Sequence, residues 1–390
     1  MSQSIIKTAL KALPPKATAE LKEFLECFAT SMPREDLEMM DPSMLALAAE
    51  KHLALSKKRK PGETQIEIFI PEKPSGGAAH PNTVIEIIND DMAFLVDSIA
   101  AEITHNYKLI HLLVHPLISV SVGKNGKFSH IDKEHKPTSY RQSHIHIELQ
   151  GTLAVQAADE LEERLRKIIG DVRVATRDWQ TMRQKLRDCE DKLKNAPTGK
   201  YSTNQVKEYL SFLDYLYSDN FTLLGYREYK FSEKNGEVKS DIVKNSSLGL
   251  LHDQVTPVYL SDDQSGLSSD LQKYRKNLPP LSISKVNKRS TVHRSVPLDA
   301  VAVKQYDEKG NVTGECLFIG LFTSVTYSRS IQDVPLLRRR TEKVMQNSRF
   351  TEGSHDFKSL RHVLEKYPRD ELFQMTEEQI LETGVSIMRL

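Results

Sequence analysis

The hydrophobic period changes along the chain, and each change marks a region. Up to about Pro61 it is helical. In "TAELKEFLECFATSM", Leu21, Phe24, Leu25 and Phe28 recur at i, i+3, i+4 and i+7, the stripe of an amphipathic helix. Pro33 and Pro42 punctuate it, and "DPSMLALAAEKHLALSKKRK" predicts a further helix behind Asp41. Residues 1–62 are therefore expected to be an N-terminal helical segment.

From Thr64 the period becomes two. "TQIEIFIPE" alternates Ile66, Ile68 and Ile70 with polar partners, as a half-buried strand does. After "KPSGGAAHPN", a loop by composition, "VIEIINDDMAFLVDSIAAEI" (Val84 to Ile103) opens as an apolar strand and closes as an amphipathic helix. "KLIHLLVHPLISVSVGKNGKFSHI" predicts a long strand or a bent pair, then a hairpin turned on Asn125-Gly126. "SHIHIELQG" is another alternating strand. "LAVQAADELEERLRKIIGDV" places Leu161, Leu165 and Ile168 on one helix face, and "VRVATRD" has the alternation of a last strand. From Val84 the order is βαββαβ with one strand in front, a ferredoxin-like α+β arrangement with two helices on one sheet face, expected over residues 63–178. A free edge at "TQIEIFIPE" would suit a sheet-to-sheet contact.

"WQTMRQKLRDCEDKLKNA" predicts a polar connecting helix over 179–200, carrying the single tryptophan, Trp179. A third region follows over 201–350. The helix "NQVKEYLSFLDYLYSDN" turns Tyr209, Phe212, Leu213 and Leu216 inward and leads to the strand "FTLLGYREYKF", with a turn at Asn235-Gly236. Ala300, Ala302 and Lys304 alternate in a hairpin that turns at Gly310-Asn311 and runs on through Phe322, before the helix "PLLRRRTEKVMQNS". A helix feeding an antiparallel sheet of this length points to a PAS-like α+β sensor domain. Residues 351–390 are expected to form two helices, running to Leu390 without a turn signal or cap, as if interrupted.

Composition narrows the class. A chain of 390 residues with 39% hydrophobic and 27% charged residues can bury more than one core. A net charge of +1 gives no general reason to expect nucleic acid or an anionic membrane as partner. Cys27, Cys189 and Cys316 are odd in number and far apart, which fits reduced thiols in a cytoplasmic protein. No apolar run approaches the roughly 18–20 residues of a membrane span.

Candidate chemistry is sparse. No Gly-x-Gly-x-x-Gly and no Gly-rich Lys-Ser/Thr loop is present, so no dinucleotide or ATP cradle is expected in these residues. His144 and His146 at i, i+2, with His105, His111 and His115 upstream, raise a metal-dependent enzyme as a reading; imidazoles on a sheet face are the plainer one, and no metal site is assigned. No nucleophile elbow supports a hydrolase. "KKRKP" (Lys57 to Pro61) reads as a solvated helix end, with a nuclear signal or phosphate-binding patch as alternatives, and Arg338, Arg339 and Arg340 as a solvated, salt-bridged helix face, with phosphate binding as the alternative. What remains is the turn Asn89-Asp90-Asp91. Either its carboxylates cap the following helix, or the helix N-terminus and a carboxylate together receive the two ends of an amino acid.

At these residues the chain resembles a family. "INDDMAFLVDSI", "HPLISVSVGKNGK" and "SHIHIEL" are similar to the first ACT-type module of the large NAD-specific glutamate dehydrogenases. The likeness continues in order through "DNFTLLGYREY", "RSTVHRSV", "FIGLFTSVTYSRS", "PLLRRR" and "GSHDFKSLRHVLEKYPRDELFQ". The resemblance implies an N-terminal ACT-like domain and a PAS-type domain, with helices leading to a further part. It also implies a longer, homo-oligomeric enzyme that oxidises L-glutamate with NAD in a downstream dehydrogenase part. Catalytic and NAD-binding residues are then expected outside this chain, which would be inactive alone. ACT modules bind amino acids near the first strand–helix turn, which carries over to Asn89, Asp90, Asp91 and Met92 as effector-binding residues. The turn lacks the glycine that many such modules have there. A free-standing amino-acid-sensing or protein-binding module is the alternative.

Overall fold

A computed structural model describes residues 2–72, 81–106, 109–134, 136, 139–252 and 269–389. Most of the loop read at Lys73–Asn82, and Leu390, lie outside them. The chain divides into two compact units: residues 1–173 with 291–295, and residues 174–290 with 296–390.

In the first unit four helices lead: α1 (Ser2–Ala12), α2 (Ala19–Thr30), α3 (Arg34–Met39) and α4 (Pro42–Lys58). Their starts are written locally. Thr18 accepts the Leu21 amide at the head of α2, and Asp41 accepts the Ser43 and Met44 amides ahead of Pro42 in α4. Then come β1 (Gln65–Phe69), β2 (Val84–Asp90), α5 (Leu95–Asn106), β3 (Ile110–Val114), β4 (Leu117–Val122), β5 (Phe128–Ile131), β6 (Tyr140–Leu149) and α6 (Val155–Lys194).

The sheet is antiparallel in the order β1-β2-β6-β4-β5, with β3 also on β6. β4 pairs with residues 140–143 of β6 and β3 with residues 146–149, so the two are a bent pair along one partner. The bend falls at His115-Pro116, where proline has no amide for the ladder.

Period-two side chains sort onto the two faces. Ile85, Ile87, Ile145, Ile147 and Leu149 pack with Ile99 and Ile103 of α5 and Leu161 and Leu165 of α6. Val84, Leu112, Val114, Ile118 and Val120 pack instead with Phe24, Phe28, Leu45 and Ala49 of the leading helices. Helices thus cover both faces of the sheet, where the sequence predicted one. Residues 1–62 share a core with the strands, and β2 is buried from Val84 to Asn89.

A second correction concerns "VRVATRD", expected as the last strand of βαββαβ. It lies inside α6, which runs unbroken from Val155 to Lys194 and takes in most of the expected connecting helix. The strand reading came from the β-branched Val172, Val174 and Thr176 taken alone. Over a longer window Leu161, Leu165, Ile168, Val172, Ala175, Trp179, Met182, Leu186, Cys189 and Leu193 alternate by four and three. All of them except Trp179 are buried. The sustained helical spacing outweighs a short run of strand-formers.

The second unit holds α7 (Thr203–Tyr215), β7 (Phe221–Lys234), β8 (Glu237–Ile242), β9 (Leu248–Gly249), α8 (Ser269–Asn277), β10 (Leu281–Arg289), β11 (Pro297–Tyr306), β12 (Val312–Phe322), α9 (Ser324–Ser328), α10 (Leu337–Asn347), α11 (His355–Lys366), α12 (Arg369–Leu372) and α13 (Glu377–Met388). Its antiparallel sheet has the order β10-β11-β12-β7-β8, with β9 on β7. The β7–β8 turn is Asn235-Gly236, both at positive φ (55° and 79°), the hairpin geometry those residue types permit. Phe212, Phe318, Phe322 and Phe373 centre a core that also takes in Leu360 and Leu364 of α11 and Ile380 of α13. At Gly320 a Cβ would lie 2.0 Å from the Thr222 carbonyl oxygen, so β12 and β7 approach there as only glycine allows.

Candidate functional site

Asn89 and Asp90 end β2, and four residues separate Asp90 from the first residue of α5. Asn89 is buried. Its Oδ1 accepts from Thr64 Oγ1 (2.7 Å) and Arg173 Nη2 (2.6 Å), and its Nδ2 donates to the Asp90 carbonyl (3.0 Å). The Asp90 carboxylate receives Arg59, Arg173, the Tyr140 hydroxyl (2.7 Å) and the Gly62 amide (3.3 Å). Burial works to raise its pKa; Tyr140, the two guanidinium groups and the amide outweigh it and hold the carboxyl below its ordinary range. Arg59 is 1% exposed, donates Nε–H to the Glu63 carbonyl (2.7 Å) and lies over the Tyr140 ring. Its Nη1 is buried without an acceptor among the described residues.

Asp91 is exposed, 3.6 Å from the guanidinium of Arg141, itself well exposed. Met92 is half-buried against the core beneath α5. Phe94 follows at φ 66°, and the Ser98 hydroxyl donates to its carbonyl (2.6 Å) within the first turn of α5. The helix-cap reading of the turn is thereby corrected for Asp90, whose carboxylate is a clamp joining the end of α4, the start of β6 and the middle of α6. Arg59 is likewise not the solvated cation that "KKRKP" implied, and Arg173 is not a strand residue. Neither role shows in the residues nearby, because each is defined by a partner far along the chain.

Behind the clamp lies a line of buried polar groups on the sheet face under α2 and α4. His52, Glu86, His144 and His146 are all 0% exposed. Glu86 sits between two imidazoles, Oε2 2.8 Å from His52 Nε2 and Oε1 2.8 Å from His146 Nδ1. His146 Nε2 reaches Glu148 Oε1 at 3.4 Å, and His52 Nδ1 is 3.2 Å from His144 Nδ1. Burial opposes charge on both members of the central pair, and their mutual attraction prevails: Glu86 is held down to about 2 and His146 is pushed up to about 9. Burial keeps His144 neutral well below the usual imidazole range.

One proton arrangement satisfies these contacts. His146 is cationic and donates to both carboxylates, and neutral His144 donates Nδ1–H to His52, whose Nε2 lies within ion-pair distance of Glu86. His115 bonds the Ser143 hydroxyl (2.7 Å), while His105 and His111 are exposed. Among the described residues no group of three or more His, Cys, Asp or Glu is arranged to hold a metal ion. The polar line is a fixed electrostatic spine binding α4 to the sheet.

Of the arginine run on α10, Arg338 forks onto Glu208 of α7 (3.0 and 2.6 Å to Oε1). Arg340 donates to the Leu372, Phe373 and Met375 carbonyls (2.8, 2.9 and 3.1 Å). Arg338, partly exposed and salt-bridged, fits the expected helix face, whereas Arg340, bound to three backbone carbonyls, departs from it. No helix among the described residues is long and apolar enough to cross a membrane.

Comparison with known proteins bears on both units. Residues 24–165 match the family model described as "Glutamate dehydrogenase, ACT1 domain", and residues 334–390 the one described as "Glutamate dehydrogenase, helical motif 1". The NAD-specific glutamate dehydrogenase of Halomonas elongata is 29% identical over 375 residues, 95% of this chain and 23% of that protein. The protein of the same name from Pseudomonas aeruginosa is 29% identical over 392 residues, 100% of this chain and 24% of its own length. The chain thus spans about a quarter of these relatives, at their N-terminal part. A solved RNA-binding light-oxygen-voltage receptor aligns at 6% identity and a TM-score of 0.16, covering 85% of this chain and 92% of its own; a likeness that low carries no argument.

Proposed function

The chain belongs to the NAD-specific glutamate dehydrogenase family, and from that premise we propose that it is the regulatory and assembly region of such an enzyme. In the full-length protein the reaction is oxidation of L-glutamate by NAD and water to 2-oxoglutarate, ammonia and NADH, carried out in the cytoplasm by a homo-oligomer. The observation that carries the reading is collinear similarity over 95–100% of this chain to the N-terminal part of relatives about four times as long. Residues 201–350 are read as a PAS-like sensor unit, supported by an antiparallel sheet entered from a helix. Residues 351–390 are read as helices leading to the downstream dehydrogenase part.

An amino-acid effector is assigned to the turn Asn89, Asp90, Asp91 and Met92. Asp90 is already held by two arginines and a tyrosine, so the ammonium of the effector meets Asp91. Its carboxylate meets Arg141, whose 3.6 Å exposed pairing with Asp91 is weak enough to exchange. Thermal unfolding of the chain against the common amino acids tests this. A midpoint shift with one of them, lost in Asp91→Asn while the free variant melts normally, supports a sensor. No shift with any leaves the turn as part of a scaffold. For the whole reading, the purified chain given glutamate and NAD should form no NADH; turnover by the chain alone would overturn the regulatory assignment.

A further inference from the structure

Leu336, just ahead of α10, and Arg339, Arg340 and Lys343 on one stripe of that helix line a cavity of about 260 Å³ in the second unit. The helix is set at an unusual start. Leu336 has φ 69° and ψ −45°, a backbone state unfavourable for a residue with a Cβ, which surrounding contacts must impose. Glu208 imposes it, accepting the Leu336 amide (3.0 Å) together with Arg338. This anchoring fixes how the cations behind it are used. Arg340 is committed to backbone carbonyls and Lys343 to Glu377 (2.9 Å), both partners of the lysine pair being part-exposed. Arg339 has no acceptor among the described residues, and Glu208, the other acid of the wall, is already neutralised. The opposite walls bring Tyr209, whose hydroxyl has no partner among the described residues, and Phe373. A solvated arginine run lacks aromatic surface beside it; here the fold supplies that surface from two distant elements.

We propose that this cavity binds a small organic anion, its carboxylate or phosphate held by Arg339 with Lys343 and its apolar body lying against Tyr209 and Phe373. The volume is near the low end of the roughly 300–1,000 Å³ typical of ligand pockets, so a metabolite-sized molecule fits and a dinucleotide does not. The site shares no residue with the turn assigned to an amino acid, and it stands or falls separately from that reading.

Calorimetric titration of the full chain with benzoate, succinate, phenyl phosphate and inorganic phosphate tests it. At least one organic anion should bind at one site per chain, more weakly as salt rises. Arg339→Gln should weaken it by about tenfold or more, the loss of a charge-assisted hydrogen bond. Lys343→Gln and Tyr209→Phe should each weaken it less, and Asp91→Asn should leave it unchanged. Benzoate against phenyl phosphate distinguishes the carboxylate from the phosphate source. All three cavity variants lie on part-exposed positions and should keep the parent's unfolding midpoint. Absence of binding by all four probes, or equal affinity in Arg339→Gln, overturns the proposal.

Discussion

Replacing Glu86 with glutamine keeps the shape of the side chain and removes the charge that lies between His52 and His146. In the folded protein His146 holds its proton to about 9 against 6.5 for the free imidazole, and Glu86 is held down to about 2 against 4.5. Both displacements are net of the burial that opposes charge on each group, so the attraction between the two is stronger than either alone shows. Removing one member of a buried pair costs about 3–5 kcal/mol. The sign follows from linkage. His146 contributes in full below pH 6.5 and loses its contribution as pH rises through about 9. Glu86 contributes in full above pH 4.5 and loses its contribution as pH falls through about 2. His144 acts oppositely: its folded pKa lies below 6.5, so the unfolded chain takes the proton first and stability falls as pH drops below 6.5. Stability of the first unit should therefore peak near pH 6.5 and decline on the alkaline side by on the order of 1 kcal/mol per pH unit. Glu86→Gln should lower the peak by about 3 kcal/mol and flatten that alkaline decline. Hydrogen exchange of the β2 and β6 amides, corrected for intrinsic rate across pH 5 to 10, reads the opening free energy where the spine sits. A parent profile flat on the alkaline side, or a variant within about 1 kcal/mol of the parent at the peak, would refute the electrostatic account.

Three further outcomes are expected. Asp90→Ala strands the buried Arg59 and should cost about 3–5 kcal/mol in urea unfolding, with loss of exchange protection at the β2–β6 pairing; a cost under about 1 kcal/mol would mean the clamp is surface-like. Gly320→Ala drives a methyl into the Thr222 carbonyl and should cost on the order of 4 kcal/mol or prevent accumulation of folded protein, read by expression and circular dichroism. Ser202→Ala removes one arm of the capping box with Gln205 and should cost about 1 kcal/mol of α7 stability in thermal unfolding, a much smaller effect than the other two.

Much of the architecture was legible because it is written in short windows. The alternation in "TQIEIFIPE" and "SHIHIELQG", the turns at Asn125-Gly126 and Asn235-Gly236, and the Asp41 cap each depend on neighbours within a few residues, and each appears where it was read. What escaped depends on partners at long range. His144, His146 and Glu148 look like the wet side of a half-buried strand, since polar positions normally alternate outward; only the packing of α2 and α4 over them makes that face an interior one. Arg59 looks like one cation in a basic run until Asp90 is placed beside it. The continuous α6 is legible only over several turns, because its four-three spacing runs across "VRVATRD", while those seven residues alone carry the alternation of a strand. The Asn89–Met92 turn was found as a place, while its clamp of Arg59, Tyr140 and Arg173 lies in no motif.

The Asp90 clamp also sets an order of events as the chain folds. Its partners lie 31, 50 and 83 residues away in sequence, at Arg59, Tyr140 and Arg173. Contacts of that span must offset loop-closure entropy before they return anything, which places them late and makes their formation slow relative to the local helices. A nascent chain that has made α4 and β2 but not yet α6 holds Arg59 against a carboxylate that still lacks its second guanidinium, and Asn89 without one of its two donors. The sheet then has its strands but not its fastener. The first unit should thus lock cooperatively only once Arg173 has emerged, and fragments ending before it should exchange readily at the Asn89–Asp90 end of β2, although β2 keeps a strand on either side.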